Sequence, residues 1–212
     1  MTINNIIIYL LAQIALFLPA FLISLSFHEF FHALTATLLG DPTPKKYGRL
    51  TLNPIAHIDI FGLIFLLIFR FGWAKPVPFD ANNFKHPKLY SIITALAGPM
   101  ANFILAIITF YLIKYLPLEI FSPVVSKTIM QIISATAYVN LMLGVFNLLP
   151  IPPLDGSHVL TVLLINKYPN VIIWFYRYSI FILLLLFCFP QTQMFFLYLI
   201  KKTEYILKYF VI

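Results

Sequence analysis

The sequence predicts an all-α polytopic membrane protein, with about four to five transmembrane helices, a short re-entrant element and a fourth apolar segment broken at a Pro-rich stretch. Three observations carry this class. Of 212 residues, 61% are apolar and 10% charged, whereas a soluble domain carries about 25% charged residues. Polar surface is too scarce for a water-soluble globule, which excludes a soluble enzyme, a disordered chain and a disulfide scaffold. The apolar residues fall in runs separated by polar, Pro-containing linkers, and several runs reach the roughly 20 residues a span needs. Only helices and closed barrels satisfy backbone groups in lipid, and these runs are too long for barrel strands. The single cysteine, Cys188, sits in an apolar run and supports neither a zinc ribbon nor a thiol-redox motif.

The first segment runs from about Ile6 to Leu39, with Pro19 inside it and Gly40-Asp41-Pro42 closing it. It is longer than a bilayer core requires, and Pro19 is expected to kink it because the ring removes one backbone hydrogen bond. The second, Ile58 to Phe71, is too short for a full span and has basic linkers on both sides, as a re-entrant element would. The third, Leu89 to Leu116, is long enough to cross. A charge-balanced linker over 117–127 precedes the fourth, which starts near Thr128, reaches Leu149 and meets Pro150-Ile151-Pro152-Pro153 before resuming through Ile165. The fifth covers Val171 to Phe189. The tail, 191–212, mixes Phe, Tyr and Ile with Lys201, Lys202, Glu204 and Lys208 and reads as an amphipathic interfacial helix. The whole chain, 1–212, is expected to form one membrane-embedded domain with its core at about 20–165 and C-terminal helices over 171–212.

A net charge of +7 raises the question of an anionic partner. The basic residues are spread among linkers (Lys45, Lys46 and Arg49 in one; Lys75, Lys85 and Lys88 in another) and never form a dense cluster. This is the pattern of cytoplasmic loops, and nothing in it supports nucleic-acid binding. The N-terminus lacks the basic region and small-residue cleavage site of a signal peptide, so the first segment is expected to stay in the mature chain.

Chemistry concentrates in His28-Glu29-Phe30-Phe31-His32, an HExxH pattern. On a helix, positions four apart share a face, so both imidazoles can aim at one metal ion. Glu29 lies one residue on, near enough to reach water at that metal without being a ligand. Ionisable side chains inside a membrane span are costly unless something satisfies them, which makes a functional role the default.

A catalytic zinc site needs a third protein ligand and an open position. Asp155, at the end of Asn147-Leu148-Leu149-Pro150-Ile151-Pro152-Pro153-Leu154-Asp155-Gly156, is the only carboxylate in the fourth segment. The prolines must unwind the backbone there, so this acid is expected to point inward at a cation. The other reading is an N-cap at a helix start. His158, three positions on, is a possible fourth ligand, although a closed four-ligand site suits structure better than catalysis. His57 and Asp59 open the second segment, either supporting the ligands from behind or making ordinary loop hydrogen bonds. Asn102 and Asn147 are uncharged amides in apolar helices. Each either donates to a peptide oxyanion or an unwound substrate, or bonds between helices. His86 lies in a polar linker and needs no special role.

HEFFH, the NPIAHID stretch, GWAKPVPF at 72–79, AGPMAN at 97–102 and FNLLPIPPLDG at 146–156 together resemble the site-2 protease family of intramembrane zinc metalloproteases. The likeness is to short bacterial and archaeal members without PDZ or CBS domains. It covers about residues 20–165, with Ser157 standing where many members have a second Gly. The resemblance implies one zinc ion (Zn2+) per chain, held by His28, His32 and Asp155, with Glu29 as catalytic acid/base. It implies a site inside the bilayer of a bacterial or archaeal cell membrane, opening toward the cytoplasm, and an edge strand over Gly72 to Phe79 that binds extended substrate.

The expected activity is hydrolysis of transmembrane or membrane-retained peptide segments, so the partners are such substrates and the lipid bilayer; no oligomeric state follows. A substrate helix hides its carbonyls in its own hydrogen bonds and must unwind locally to be cut. Two other classes compete. A membrane metal-binding protein or transporter would be expected to show inverted repeats and paired broken helices, and the chain has no repeat. An inactive membrane scaffold would not need Glu29.

Overall fold

The computed structural model describes the backbone of residues 3–69 and 72–211, and the side chains within them except those of 3–4, 6–13, 68–69 and 187. Among the described residues the regular elements are helices: α1 (Ile3–Leu38), α2 (Thr43–Lys46), α3 (Ile60–Phe69), α4 (Pro87–Tyr115), α5 (Pro123–Asn147), α6 (Asp155–Leu164), α7 (Pro169–Cys188) and α8 (Pro190–Tyr209). Four stretches among the described residues are long and apolar enough to cross a membrane: Ile14–Leu38, Pro87–Tyr115, Pro123–Asn147 and Pro169–Leu186. The chain is an integral membrane protein of the all-α class.

Elements begin where proline allows them to. Pro87, Pro123, Pro169 and Pro190 each open a helix, the position where a missing N–H costs nothing and a fixed φ is already helical. This moves the start of the fourth segment back from the expected Thr128 to Pro123, and Lys127 lies on α5, not in a linker. Pro19 lies inside α1 without ending it. The short second segment is a helix of 10 residues, well under a membrane span; its expected end at Phe71 lies outside the described residues.

α1, α4 and α5 form the centre. One apolar cluster joins Ala20, Phe21 and Leu25 of α1 to Leu66 of α3 and Val139 of α5. A second joins Ala106 and Phe110 of α4, Ala137, Leu141 and Val145 of α5, and Phe196 and Ile200 of α8. The tail is an amphipathic helix, as expected, and α8 turns its apolar stripe toward the bundle, Phe196 and Ile200 at helical spacing packing against α4 and α5. Its Lys201 and Lys202 stay exposed.

Between α1 and α4 the chain is fastened by a buried acid. Asp41, just past the end of α1, accepts hydrogen bonds from the Thr43 N–H (3.0 Å) and hydroxyl (2.6 Å), the Asp80 N–H (2.7 Å) and the Asn83 amide (2.7 Å). Burial favours the neutral acid, but these donors outweigh it and hold the carboxyl below the usual carboxylate range. A depressed folded pKa stabilises the fold above the unfolded value of about 3.9, and that contribution fades as pH falls through the folded value. Asp41→Ala is expected to lose roughly 1.5–3 kcal/mol at pH 7, the scale of hydrogen bonds to a charged group. The gap between variant and wild type should narrow below about pH 4 in thermal unfolding followed as a function of pH.

The stretch 72–80 is held against α1 by the same loop. Ile58 and Ala74 form one antiparallel bridge, the Lys75 N–H donates to His57 O at 2.9 Å, and the buried Arg49 guanidinium donates to Ala56 O and, at 3.5 Å, to Lys75 O. No strand develops among the described residues, contrary to the edge strand that the resemblance implied. Pro76 and Pro78 carry no N–H, so a ladder cannot extend past Lys75 in register.

Candidate metal centre

Ser24, His28 and His32 recur every four residues and so share one face of α1. Thr94, Gly98 and Asn102 do the same on α4. The two ladders meet in opposite order: Asn102 lies against Ser24 and His28, Thr94 against His32, with Gly98 between. The two helices are antiparallel along this seam, and His28, Glu29 and His32 are all buried.

Each imidazole is fixed through its Nδ1. That of His28 donates to Asn102 Oδ1 (2.6 Å) and that of His32 to the Thr94 carbonyl (2.7 Å). Both Nε2 atoms then carry lone pairs, and they lie 3.0 Å apart. Asp155 closes the group, its Oδ2 3.1 Å from His28 Nε2 and 3.4 Å from His32 Nε2. This oxygen is buried without a hydrogen-bond partner. The three ligand atoms lie within 4.8 Å of one another.

Asp155 reaches this place because the chain breaks. α5 ends at Asn147, and the next helix begins at Asp155 itself. Gly156 lets the two ends approach: a Cβ there would lie 2.3 Å from Leu148 O. The N-cap position belongs to Leu154, so the capping alternative for Asp155 does not hold. Its carboxylate still lies in the first turn of α6, where the helix dipole favours negative charge.

With both imidazoles neutral, the two Nε2 atoms and the Asp155 carboxylate turn only electron pairs to their focus, a place that favours a cation, and an N2O donor set suits a divalent metal. Gly98 keeps room for it. A Cβ at that position would lie 2.3 Å from His32 Nε2 and 2.7 Å from His28 Nε2. Gly98→Ala should weaken metal binding more than about 10-fold, measured by chelator competition, because the imidazoles must move. As helix propensity alone would stabilise this variant by up to about 1 kcal/mol, a melting temperature that holds or rises beside a lost site would assign the glycine to the metal.

Glu29 is not among these ligand atoms. Its Oε2 accepts the Val77 N–H at 3.2 Å, tying it to the 72–80 stretch.

Other residues singled out from sequence go elsewhere. Both N–H groups of Asn102 are spent, on Ser24 O (3.1 Å) and Asn140 Oδ1 (2.8 Å), so it has none for an oxyanion. Asn147 donates to Leu143 O of its own helix. His57 is fully buried but bonds Thr51 O at 2.8 Å within its loop. Asp59 accepts the Gly62 N–H and caps α3. His158 lies outside the ligand group and faces the Phe79 ring. Ser24, Thr94 and Asn140 were missed in the sequence, although the four-residue polar spacing on α1 and α4 was visible there.

The fold and site define a class: a polytopic helical membrane protein with a His–His–Asp group that could hold a metal ion, beside a glutamate. Residues 114–186 match Peptidase family M50, a stretch that contains Asp155. The chain is 44% identical over 142 residues to "Putative zinc metalloprotease YwhC" of Bacillus subtilis (strain 168), covering 66% of this chain and 64% of that protein. It is 33% identical over 146 residues to Rip2 of Mycobacterium tuberculosis (strain ATCC 25618 / H37Rv), of the same description, covering 66% and 53%. With Zinc metalloprotease MJ0392 of Methanocaldococcus jannaschii the identity is 27% over 169 residues, covering 78% and 38%. The chain is thus similar to Peptidase family M50 over residues 114–186 and to zinc metalloproteases, named as such or as putative ones, over about two thirds of its length. It spans just under two thirds of YwhC and about half of Rip2. No solved structure matches it.

Proposed function

We propose that the chain is a zinc-dependent endopeptidase that cuts peptide segments inside the membrane, with one zinc ion held by His28, His32 and Asp155. The observation that carries this reading is the convergence of those three ligand atoms, within 4.8 Å, at the seam of helices long enough to span a bilayer. Zinc held there supplies Lewis acidity, polarising a peptide carbonyl and acidifying water. Glu29 takes the proton of the attacking water and returns it to the leaving amine. Asn102 and Thr94 hold the Nδ1 protons of the two imidazoles, keeping both Nε2 lone pairs toward the ion. Val77 steadies the Glu29 carboxylate from the side opposite its own helix.

Substrates are transmembrane or membrane-retained segments that unwind locally. The stretch 74–80 suits an extended chain beside Glu29. At Pro76 and Pro78 it can only accept hydrogen bonds, so it favours substrate whose own N–H groups have been freed. Residues 1–212 act as one membrane-embedded domain in a bacterial or archaeal cell membrane, the basic loops at 45–49 and 75–88 facing the cytoplasm and the cleft opening to that side.

The test is a comparison of peptide fragments in membranes containing the full chain, by mass spectrometry, with and without a zinc chelator. Fragments cut within transmembrane segments should disappear on chelation and return when zinc is restored. A fragment set indifferent to the chelator, or cuts confined to water-exposed domains, overturns the proposal.

A further inference from the structure

We infer that Ser24, Asn102 and Asn140 form a buried amide relay that fixes the tautomer of His28, with Asn140 as a positioning residue that acts through Asn102. The inference rests on the reading of His28 as a metal ligand and goes beyond it to how that ligand is kept ready.

Every hydrogen in the relay can be placed from atoms that have only one possible role. Ser24 O is a backbone carbonyl and can only accept, so the Asn102 atom 3.1 Å from it is the NH2 nitrogen. The Asn102 atom 2.6 Å from His28 Nδ1 is therefore its oxygen, which can only accept; His28 must carry its proton on Nδ1. The second Asn102 N–H donates to Asn140 Oδ1 at 2.8 Å. Asn140 is oriented the same way, because its NH2 lies 2.8 Å from the Thr136 carbonyl. Its other N–H donates to Ser24 Oγ at 2.8 Å, and that hydroxyl passes its own hydrogen to Ala20 O at 2.7 Å. Ser24, Asn102 and Asn140 are fully buried, so no water competes for these groups. α1, α4 and α5 each contribute one member, and the relay draws the helices together directly behind the metal centre.

Asn140 shares with the Ser24 carbonyl the hold on Asn102 against turning over. Without the acceptor at Asn140, one Asn102 N–H is buried with no partner. A half-turn of the Asn102 amide, then opposed by the Ser24 O bond alone, would present NH2 to His28 Nδ1. That ring nitrogen would have to become the acceptor, and the imidazole proton would move to Nε2, the atom facing His32 and Asp155. A hydrogen at that nitrogen blocks coordination.

The test uses the full chain in detergent and reads zinc affinity by chelator competition, together with the 15N signals of histidine in the metal-free protein. Wild type should bind zinc and show His28 protonated at Nδ1, the tautomer imidazole adopts less often in water. Asn140→Leu should bind zinc about 10–100-fold more weakly, the range typical for groups that support a ligand, with the His28 signal moved toward the Nε2–H form. Asn140→Asp, neutral in this buried place, keeps an acceptor opposite Asn102 and an O–H for the Thr136 carbonyl, and should recover most of the affinity, which a merely structural role does not predict. Wild-type His28 protonated at Nε2 and not at Nδ1 overturns the relay and requires no variant to fold. So does an Asn140→Leu protein with wild-type affinity and an unmoved His28 signal. Wild-type protein that takes up no zinc, with His28 still protonated at Nδ1, instead overturns the ligand reading and leaves the relay as a feature of the fold.

Discussion

Glu29→Gln is expected to reduce cleavage of membrane-embedded segments about 10²–10⁴-fold, the range that positioned acid–base groups contribute, while zinc content and melting temperature stay at wild-type values. The separation follows from where Glu29 stands. It lies outside the group of three ligand atoms, so its replacement removes no donor from the metal. Its carboxylate accepts the Val77 N–H, and the side-chain oxygen of glutamine can accept the same bond, so the 72–80 stretch keeps its attachment. What glutamine cannot do is take a proton from water and hand it to a leaving amine. Measured together, zinc per chain and fragment yield distinguish this role from the alternatives: loss of both would make Glu29 a metal-holding residue, and retention of both would leave it no part in proton transfer.

The membrane class, the long apolar helices and the grouping of His28, His32 and Asp155 were legible in the sequence for physical reasons. Apolar run length reports on the bilayer, HExxH places two imidazoles on one helix face, and a carboxylate next to Pro150, Pro152 and Pro153 marks a broken helix in lipid. What escaped were relations between distant segments. Asn102 read equally well as an oxyanion donor or a structural amide, because its partners Ser24, His28 and Asn140 come from two other helices and only packing assigns its donors. His57 and Asp59 looked like candidates for the centre because they are polar beside an apolar run; their partners Thr51 and Gly62 are local, and local bonds leave no mark in a pattern of types. Asp41 was read only as part of a helix stop, although Thr43 and Asn83 stood ready to satisfy it. The tail was legible as amphipathic from its charges, but that Phe196 and Ile200 pack against α4 and α5 was not.

Asp155→Ala should weaken zinc binding more than about 100-fold, beyond what removing a merely supporting group costs. Thermal unfolding with and without zinc distinguishes a ligand from a structural acid. Asp155 Oδ2 lies 3.1 Å from His28 Nε2 and 3.4 Å from His32 Nε2, so its loss takes the oxygen donor from the group, whereas loss of a structural acid would lower the melting temperature equally with and without zinc. A ligand that binds only the folded state raises stability in proportion to the logarithm of its concentration over Kd. Wild type should therefore melt higher with added zinc, and the variant should lose most of that rise. His158→Ala is the matched control: one turn further along α6, against Phe79 and outside the ligand group, it should leave zinc affinity unchanged. An Asp155→Ala protein with undiminished affinity, beside a His158→Ala protein that has lost it, would move the third ligand along the helix and change the way α6 must turn to complete the centre.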